Sequence, residues 1–85
     1  PNGLSISRLM DKTLRCLFPE IFFYQAMSIR EFEQTKFGYD FVFSAVPLST
    51  DKKFFLINHL MDGIERLELR RRVMRSVYLV DEVNI

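Results

Sequence analysis

One uncharged run constrains the fold of this chain more than any other stretch. Residues 41–46 read FVFSAV, with Asp40 before them and Pro47 after them. An apolar run of this length without alternating polar residues is typical of a strand that is covered on both faces, as in a parallel sheet. We therefore predict a central strand at residues 41–46 and expect it to be the most buried strand of the molecule.

Helical periodicity is clearest near the start of the chain. Apolar residues recur there at spacings of three and four, which predicts one buried helix face. That face comprises Ile6, Leu9, Met10, Thr13, Leu14 and Leu17. Pro19 predicts the end of this helix, because the residue before a proline is disfavoured in the α conformation.

Two further helices are predicted from capping-box spacings, in which two side chains satisfy each other's backbone donors. Ser28 with Glu31 begins a short helix expected to end near Gly38, and Asp62 with Glu65 begins a longer one. Residues 21–27 and 53–58 are short, aromatic and largely apolar, which predicts two more strands. Residues 76–80 fit either a helix or a strand.

This order of elements predicts a three-layer α/β domain, with helices on both faces of a mainly parallel sheet. Its 85 residues suit a single domain, 1–85. The strands at 41–46 and 53–58 are joined by a link too short for a crossover helix, so they are either antiparallel or parallel with a tight link.

Composition excludes several function classes. Twelve basic and eleven acidic residues leave a net charge of +1, too small to draw the chain onto nucleic acid or a membrane. Cys16 is the single cysteine, which excludes an internal disulfide and a multi-cysteine zinc site. No apolar run approaches the ~18 residues of a membrane span, and no signal peptide is evident. We expect a cytoplasmic domain without metal or cofactor.

The opening segment is the first candidate site. Its residues are Asn2, Gly3, Leu4, Ser5, Ile6 and Ser7. Successive backbone N–H groups that lead into a helix N-terminus bind anions without a basic side chain. This pattern predicts a phosphate-binding loop, and the structural alternative is that the serines only cap the helix.

Two motifs resemble a known family. Residues 1–10, PNGLSISRLM, resemble the phosphate-binding loop of EIIB proteins of the bacterial sugar phosphotransferase system, Cys-x-x-Gly-x-Gly-Thr-Ser-x-x-Leu. Residues 39–48, YDFVFSAVPL, resemble the Asp-(apolar)₃-Ser-Thr-Ile/Val-Pro-Leu segment of EIIB-like domains fused to sugar-responsive transcription regulators. These include antiterminators and activators with phosphotransferase regulation domains, and Mga-like virulence activators.

The resemblance implies a regulatory EIIB-like module of such a regulator, modulated by phosphate-dependent or partner-dependent docking. Its implied partners are the regulator's other domains and proteins of the phosphotransferase system, with no direct contact to nucleic acid or membrane, and a homo-oligomer is possible. By the same resemblance Ser44 lies beside the opening loop and helps orient it. The alternatives are an EIIB phosphoryl-carrier subunit and a plain protein-interaction domain.

The chain also departs from the family pattern. The phosphorylated cysteine and the first strand would precede Pro1, and Ser5 and Ile6 replace a glycine and a threonine of the loop. A regulatory role is therefore favoured over an enzymatic one. Without that first strand the sheet would lack a central member, so we expect a neighbouring chain or residues 77–80 to supply it.

The other candidate residues favour ordinary roles. His59 has no partner at ligand spacing and is interpreted as a loop residue. Cys16 is interpreted as a small, half-buried residue of the first helix. Arg70, Arg71 and Arg72 fan around a helix and are interpreted as a solvated face.

Overall fold

In the computed structural model of the protein, residues 2–34 and 38–78 are described. Within these two ranges, four strands and three helices follow one another. In chain order they are β1 (Asn2–Ile6), α1 (Asp11–Leu17), β2 (Phe22–Phe23), α2 (Ile29–Glu33), β3 (Phe41–Ser44), β4 (Lys53–Leu56) and α3 (Gly63–Tyr78). Residues 45–52 join β3 directly to β4, so that link is the tight connection that its length allowed.

The strands form one sheet in the order β2-β1-β3-β4, and every neighbouring pair is parallel. α1 and α3 pack on one face, where Leu14, Leu69 and Val73 join the larger core. α2 covers the other face, where Phe32 packs with a smaller core. The predicted three-layer α/β architecture is confirmed.

β3 is buried along its whole length, as its uncharged sequence predicts, because both of its faces are covered. Phe41 and Phe43 point to the side of α1 and α3, and Val42 points to the side of α2. On the first side the aromatic rings contact one another, with the centroids of Phe43 and Phe18 5.5 Å apart. Dispersion between these rings and burial of their apolar area hold the layers together.

β1 corrects the prediction for the opening segment. The segment is a strand at the centre of the sheet, hydrogen-bonded to β2 on one side and β3 on the other. Leu4 and Ile6 alternate with Gly3 and Ser5, which is the period of two of a strand. The domain therefore has its central strand in residues 2–6 and does not lack it, and β1 fills the place for which a substitute strand was expected.

The small residues of β1 have a packing reason. A Cβ at Gly3 would lie 3.0 Å from the ring of Phe41 and 3.2 Å from a methyl group of Ile21. Ser5 is fully buried opposite Phe43 in the sheet register. Small side chains on this face of β1 make room for the aromatic layer, so Gly3 serves close packing and not the wrapping of a phosphate.

Several element boundaries also differ from the predictions. α1 begins at Asp11 because Ile6 belongs to a strand, and Leu9 is exposed instead of lying on a buried helix face. The capping boxes of Ser28 with Glu31 and Asp62 with Glu65 are both formed, yet α2 ends at Glu33. Gly38 has no positive φ and is therefore no left-handed helix cap.

The structure decides in part between a helix and a strand for residues 76–80. α3 continues as a helix to Tyr78, so residues 76–78 are helical. Residues 79 and 80 of the ambiguous run lie outside the described residues.

Candidate functional site

The carboxyl end of the sheet is where the topology favours a binding site. In open parallel sheets, ligands bind beside the strands at which the chain's direction of travel across the sheet reverses. Here that point lies between β1 and β3, because β2 is on the outer side of β1 and β4 on the outer side of β3. Ile6 and Ser44 face each other in register there, at the ends of the two strands.

The turn after β1 is held by serines. The Ser7 hydroxyl accepts a hydrogen bond from the Met10 amide at 3.2 Å, and the Ser5 hydroxyl donates to the Ser7 carbonyl at 3.2 Å. Met10 is buried beneath the turn, whereas the Leu9 side chain is 80% exposed. The serines therefore fix a turn that places a leucine in water.

The turn after β3 is built in a similar way. The Ser44 hydroxyl donates to the Val46 carbonyl at 2.8 Å and accepts from the Val46 amide at 3.1 Å. Ser44 itself is fully buried, and Val46 is 41% exposed. Ser44 thus lies beside the end of β1, and its hydrogen bonds orient its own turn and not the opening segment.

The turn after β4 repeats the arrangement with an asparagine. The Asn58 side-chain oxygen accepts from the Leu60 amide at 2.9 Å, and the Asn58 carbonyl accepts from the Met61 amide at 3.2 Å. Met61 is buried and Leu60 is 86% exposed. This is an Asx turn, in which the side chain replaces part of the backbone hydrogen bonding.

These three turns follow adjacent strands and so lie side by side at one edge of the sheet. Each begins with a polar residue that hydrogen-bonds the backbone two or three positions later, and each presents an apolar side chain to solvent. We call Leu9, Val46 and Leu60 the apolar rim. Because their backbones are held by local hydrogen bonds, binding at the rim would cost little further ordering of the chain.

Charged groups flank the rim on the side of α2. The Arg8 guanidinium lies 3.6 Å from the Glu31 carboxylate. The pKa of Glu31 is lowered, mainly by the hydrogen bonds of the Ser28 amide and hydroxyl in the capping box and less by Arg8. A shallow cavity of about 350 Å³ lies beside this pair, between the turn after β1 and the chain after β2, lined by Arg8, Asp11, Arg15, Gln25 and Ala26.

The predicted site residues of the opening segment lie mostly in a strand and not in a loop. Asn2, Gly3, Leu4, Ser5 and Ile6 lie within β1, and Ser7 alone of the opening segment lies in a loop. The Asn2 amide donates to the Asp40 carboxylate at 2.6 Å, so this donor is already occupied by an anion of the chain itself. The predicted phosphate-binding loop is therefore wrong as a loop, because sheet pairing takes up the backbone that was to bind the phosphate.

The remaining candidates lie away from one another. His59 is exposed in the turn after β4, and Cys16 is exposed on α1 instead of half-buried. Arg70 reaches across to the end of α1, where its guanidinium donates to the Leu17 carbonyl at 2.8 Å and pairs with the Glu20 carboxylate. Within residues 2–34 and 38–78, no cluster of three potential metal ligands occurs, and no helix is long and apolar enough to cross a bilayer.

Sequence reasoning missed the apolar rim and the role of Asp40. The signal for Leu60 was present in Asn58, because asparagine two residues before an apolar residue is compatible with an Asx turn. Leu9 gave the opposite signal, since its spacing matched a helix face. Asp40 precedes a predicted strand, and only the sheet register shows that it faces the start of β1.

Comparisons with known proteins add no relative. No protein-family model, no curated protein and no solved structure matches this chain.

Proposed function

We propose that this chain is a regulatory EIIB-like module of a bacterial transcription regulator that responds to the sugar phosphotransferase system. It acts by docking the apolar rim on another domain of the same regulator. The proposal combines the resemblance of residues 39–48 to the regulator-fused domains with the parallel α/β fold that the resemblance implies.

The apolar rim is the observation that carries this proposal. Leu9 and Leu60 are 80% and 86% exposed on turns whose backbones are fixed by Ser7 and Asn58. Exposing large apolar side chains in water is unfavourable, and apolar side chains exposed on neighbouring turns favour an interaction site. The rim lies at the edge of the sheet where binding sites of such folds form.

Of the two modes of docking, partner-dependent docking is the one that the geometry favours. The phosphate-dependent mode relied on free amides between Asn2 and Ser7, and β1 uses its backbone in the sheet. Ser7 and Ser44 direct their hydroxyl groups to the backbone of their own turns. The regulator's other domains are preferred as the partner because the family motif occurs in domains that are fused to them.

The proposal is tested by titration with the remainder of the polypeptide encoded by the same gene. The isotopically labelled 85-residue chain is observed by NMR while this purified remainder is added. We expect shifts concentrated at Leu9, Val46 and Leu60, and a double variant Leu9→Ser/Leu60→Ser that binds at least tenfold more weakly. Leu56→Ser is the matched control, since Leu56 is exposed on β4 and lies outside the rim.

Two results would overturn the proposal. One is the absence of binding at millimolar concentration of the remainder, and the other is equal weakening by the control. A separate titration with inorganic phosphate addresses the phosphate-dependent mode, and here we expect the amide signals of residues 2–7 to stay in place. Shifts confined to those residues would favour the alternative function, an EIIB phosphoryl carrier, over the regulatory module.

A further inference from the structure

The outward face of α3 carries a strip of exposed residues that no element within residues 2–34 and 38–78 covers. The buried face of this helix includes Leu69 and Val73, which pack on the sheet. On the opposite side, residues at helical spacing form the outer strip: Ile64, Leu67, Glu68, Arg71, Arg72 and Arg75. All six are exposed, and Ile64 and Leu67 are 70% and 55% exposed.

Apolar and basic residues are separated along the length of the outer strip. Ile64 and Leu67 occupy its first half, and Arg71, Arg72 and Arg75 occupy its second half. Within the described part of the chain, none of these three arginines forms an ion pair or a side-chain hydrogen bond. Arg70 in the same run differs, because it pairs with Glu20.

The residues of the strip are distributed symmetrically about its midpoint. If two α3 helices pair antiparallel with the midpoints of their strips together, a residue of one helix lies opposite the residue of the other helix that is equally far from the midpoint on the other side. Glu68 then faces Arg71 of the second helix, Leu67 faces Arg72, and Ile64 faces Arg75. Each opposition occurs twice, which is the property of a self-complementary two-fold interface.

We propose that the outer strip binds the outer strip of a second copy of this chain, with the two α3 helices antiparallel. Two Glu68–Arg71 ion pairs lie at the centre of this interface. The aliphatic stems of Arg72 and Arg75 cover Leu67 and Ile64, while their guanidinium groups remain in water. This inference is independent of the proposed function at the apolar rim.

A second copy fits the strip better than nucleic acid does. A phosphate backbone would meet Glu68 at the centre of the strip and apolar side chains over half of its length. The same features are complementary in the antiparallel pair, because every arginine meets either the carboxylate or an apolar side chain. Charge complementarity therefore points to the chain itself.

The dimer is expected to be weak. The strip spans eleven helical steps, or ~16 Å, so the interface falls below the ~1,200 Å² of total buried area typical of stable complexes. Exposed ion pairs contribute modestly and are screened by salt. We expect a dissociation constant between ~100 μM and ~1 mM at low salt, increasing severalfold when the salt concentration is raised to 0.5 M.

A charge swap tests the proposal by sedimentation equilibrium of the 85-residue chain at low salt. Glu68→Arg and Arg71→Glu alone each place like charges at both central contacts and are expected to weaken the dimer at least fivefold. The double variant Glu68→Arg/Arg71→Glu restores opposite charges and is expected to return to within threefold of the wild type. Arg66→Glu is the matched control, because Arg66 is exposed on α3 outside the strip.

Each contrary result has a defined meaning. A wild-type chain that stays monomeric at millimolar concentration overturns the proposal. If that monomer binds poly-glutamate, the proposal is likewise overturned, and the strip is then a site for an acidic partner. A dimer that the charge swap fails to restore overturns the antiparallel register. A dimer that persists in Leu9→Ser/Leu60→Ser separates this interface from the apolar rim, and loss of the dimer in that variant would contradict the assignment to α3.

Discussion

The two ends of the sheet are stabilised by different kinds of contact. At the amino end, side chains join segments far apart in sequence: Asp40 binds the Asn2 amide, Glu20 pairs with Arg70, and the Lys53 ammonium donates to the Ser76 carbonyl at 2.7 Å. At the carboxyl end, the hydrogen bonds of Ser7, Ser44 and Asn58 that shape the three turns reach at most three residues along the chain. The one longer contact of these turns described above, between Arg8 and Glu31, joins two largely exposed side chains.

This difference separates stability from binding. Long-range contacts connect secondary-structure elements, so their loss destabilises the fold. Local contacts determine only the conformation of one turn, so their loss has little effect on the rest of the domain. The carboxyl end in turn exposes the apolar rim, which contributes little to the core. We infer that changes at the amino end alter unfolding, and that changes at the rim alter binding with the fold intact.

The largest expected loss of stability comes from a substitution in the core, between the two ends of the sheet. Phe43 lies at the middle of the sheet, fully buried and in contact with four other aromatic rings, and Phe43→Ala leaves a cavity there. We expect a loss of about 3–5 kcal/mol in the free energy of unfolding, measured by denaturant titration. A loss below ~0.5 kcal/mol would show that β3 is not the central strand of the core.

Asp40 and Asn58 form the direct comparison between the two ends. Asp40→Ala removes a carboxylate that ties β3 to β1, and we expect a loss of about 1 kcal/mol. Asn58→Ala removes a hydrogen bond within one turn, and we expect about 0.5 kcal/mol or less. Denaturant titrations of both variants under one condition decide the matter, and an equal or reversed order would contradict the division between the ends.

The sequence predicted the elements with strong local patterns. The uncharged run of β3, the capping boxes of α2 and α3 and the proline after α1 each act within a few residues, so the sequence displays them. β1 was missed because its five residues include asparagine and glycine, which are depleted in strands. Its place is determined by the aromatic side chains of β2 and β3, which need a small neighbour.

The apolar rim was harder to predict for a similar reason. The spacing of Leu9 from Met10 and Leu14 matches a buried helix face until β1 is known to end at Ile6. A leucine in a turn is exposed or buried according to the tertiary structure around it. The aromatic core and its layers could therefore be predicted from the sequence, whereas the edge of the sheet that carries the candidate site could not.

The pH dependence of stability sharpens the comparison at the amino end. The hydrogen bond from the Arg70 guanidinium is the main cause that lowers the pKa of Glu20 from its ordinary value of 4.5 to about 2, a backbone hydrogen bond is the second cause, and charge attraction from Arg70 adds less. Since this pKa is depressed on folding, the pair stabilises the protein fully above pH ~4.5, and the effect is lost as the pH falls toward 2. We expect Glu20→Gln to lower Tm by a few degrees at pH 6, and the difference from the wild type to close by pH 2.

Arg8→Gln supplies the matched control for Glu20→Gln. Its guanidinium pairs with Glu31 at the carboxyl end, where both side chains are largely exposed. The Ser28 capping box, and not Arg8, is the larger cause of the lowered pKa of Glu31. Removal of Arg8 should therefore leave Tm within about one degree of the wild type at pH 6 and at pH 3. Equal effects of the two variants would remove the distinction between the ends.

The smallest effect on stability is expected at the apolar rim. Leu9 and Leu60 are nearly as accessible in the folded chain as in the unfolded one, so Leu9→Ser/Leu60→Ser removes little buried area. The turns keep these hydrogen bonds, because the Ser7 and Asn58 side chains remain and their donors are the backbone amides of Met10 and Leu60. We expect a change within about 0.5 kcal/mol by denaturant titration. A loss above ~1.5 kcal/mol would mean that the leucines are covered by the chain itself, and the rim would then be part of the core and not a docking surface.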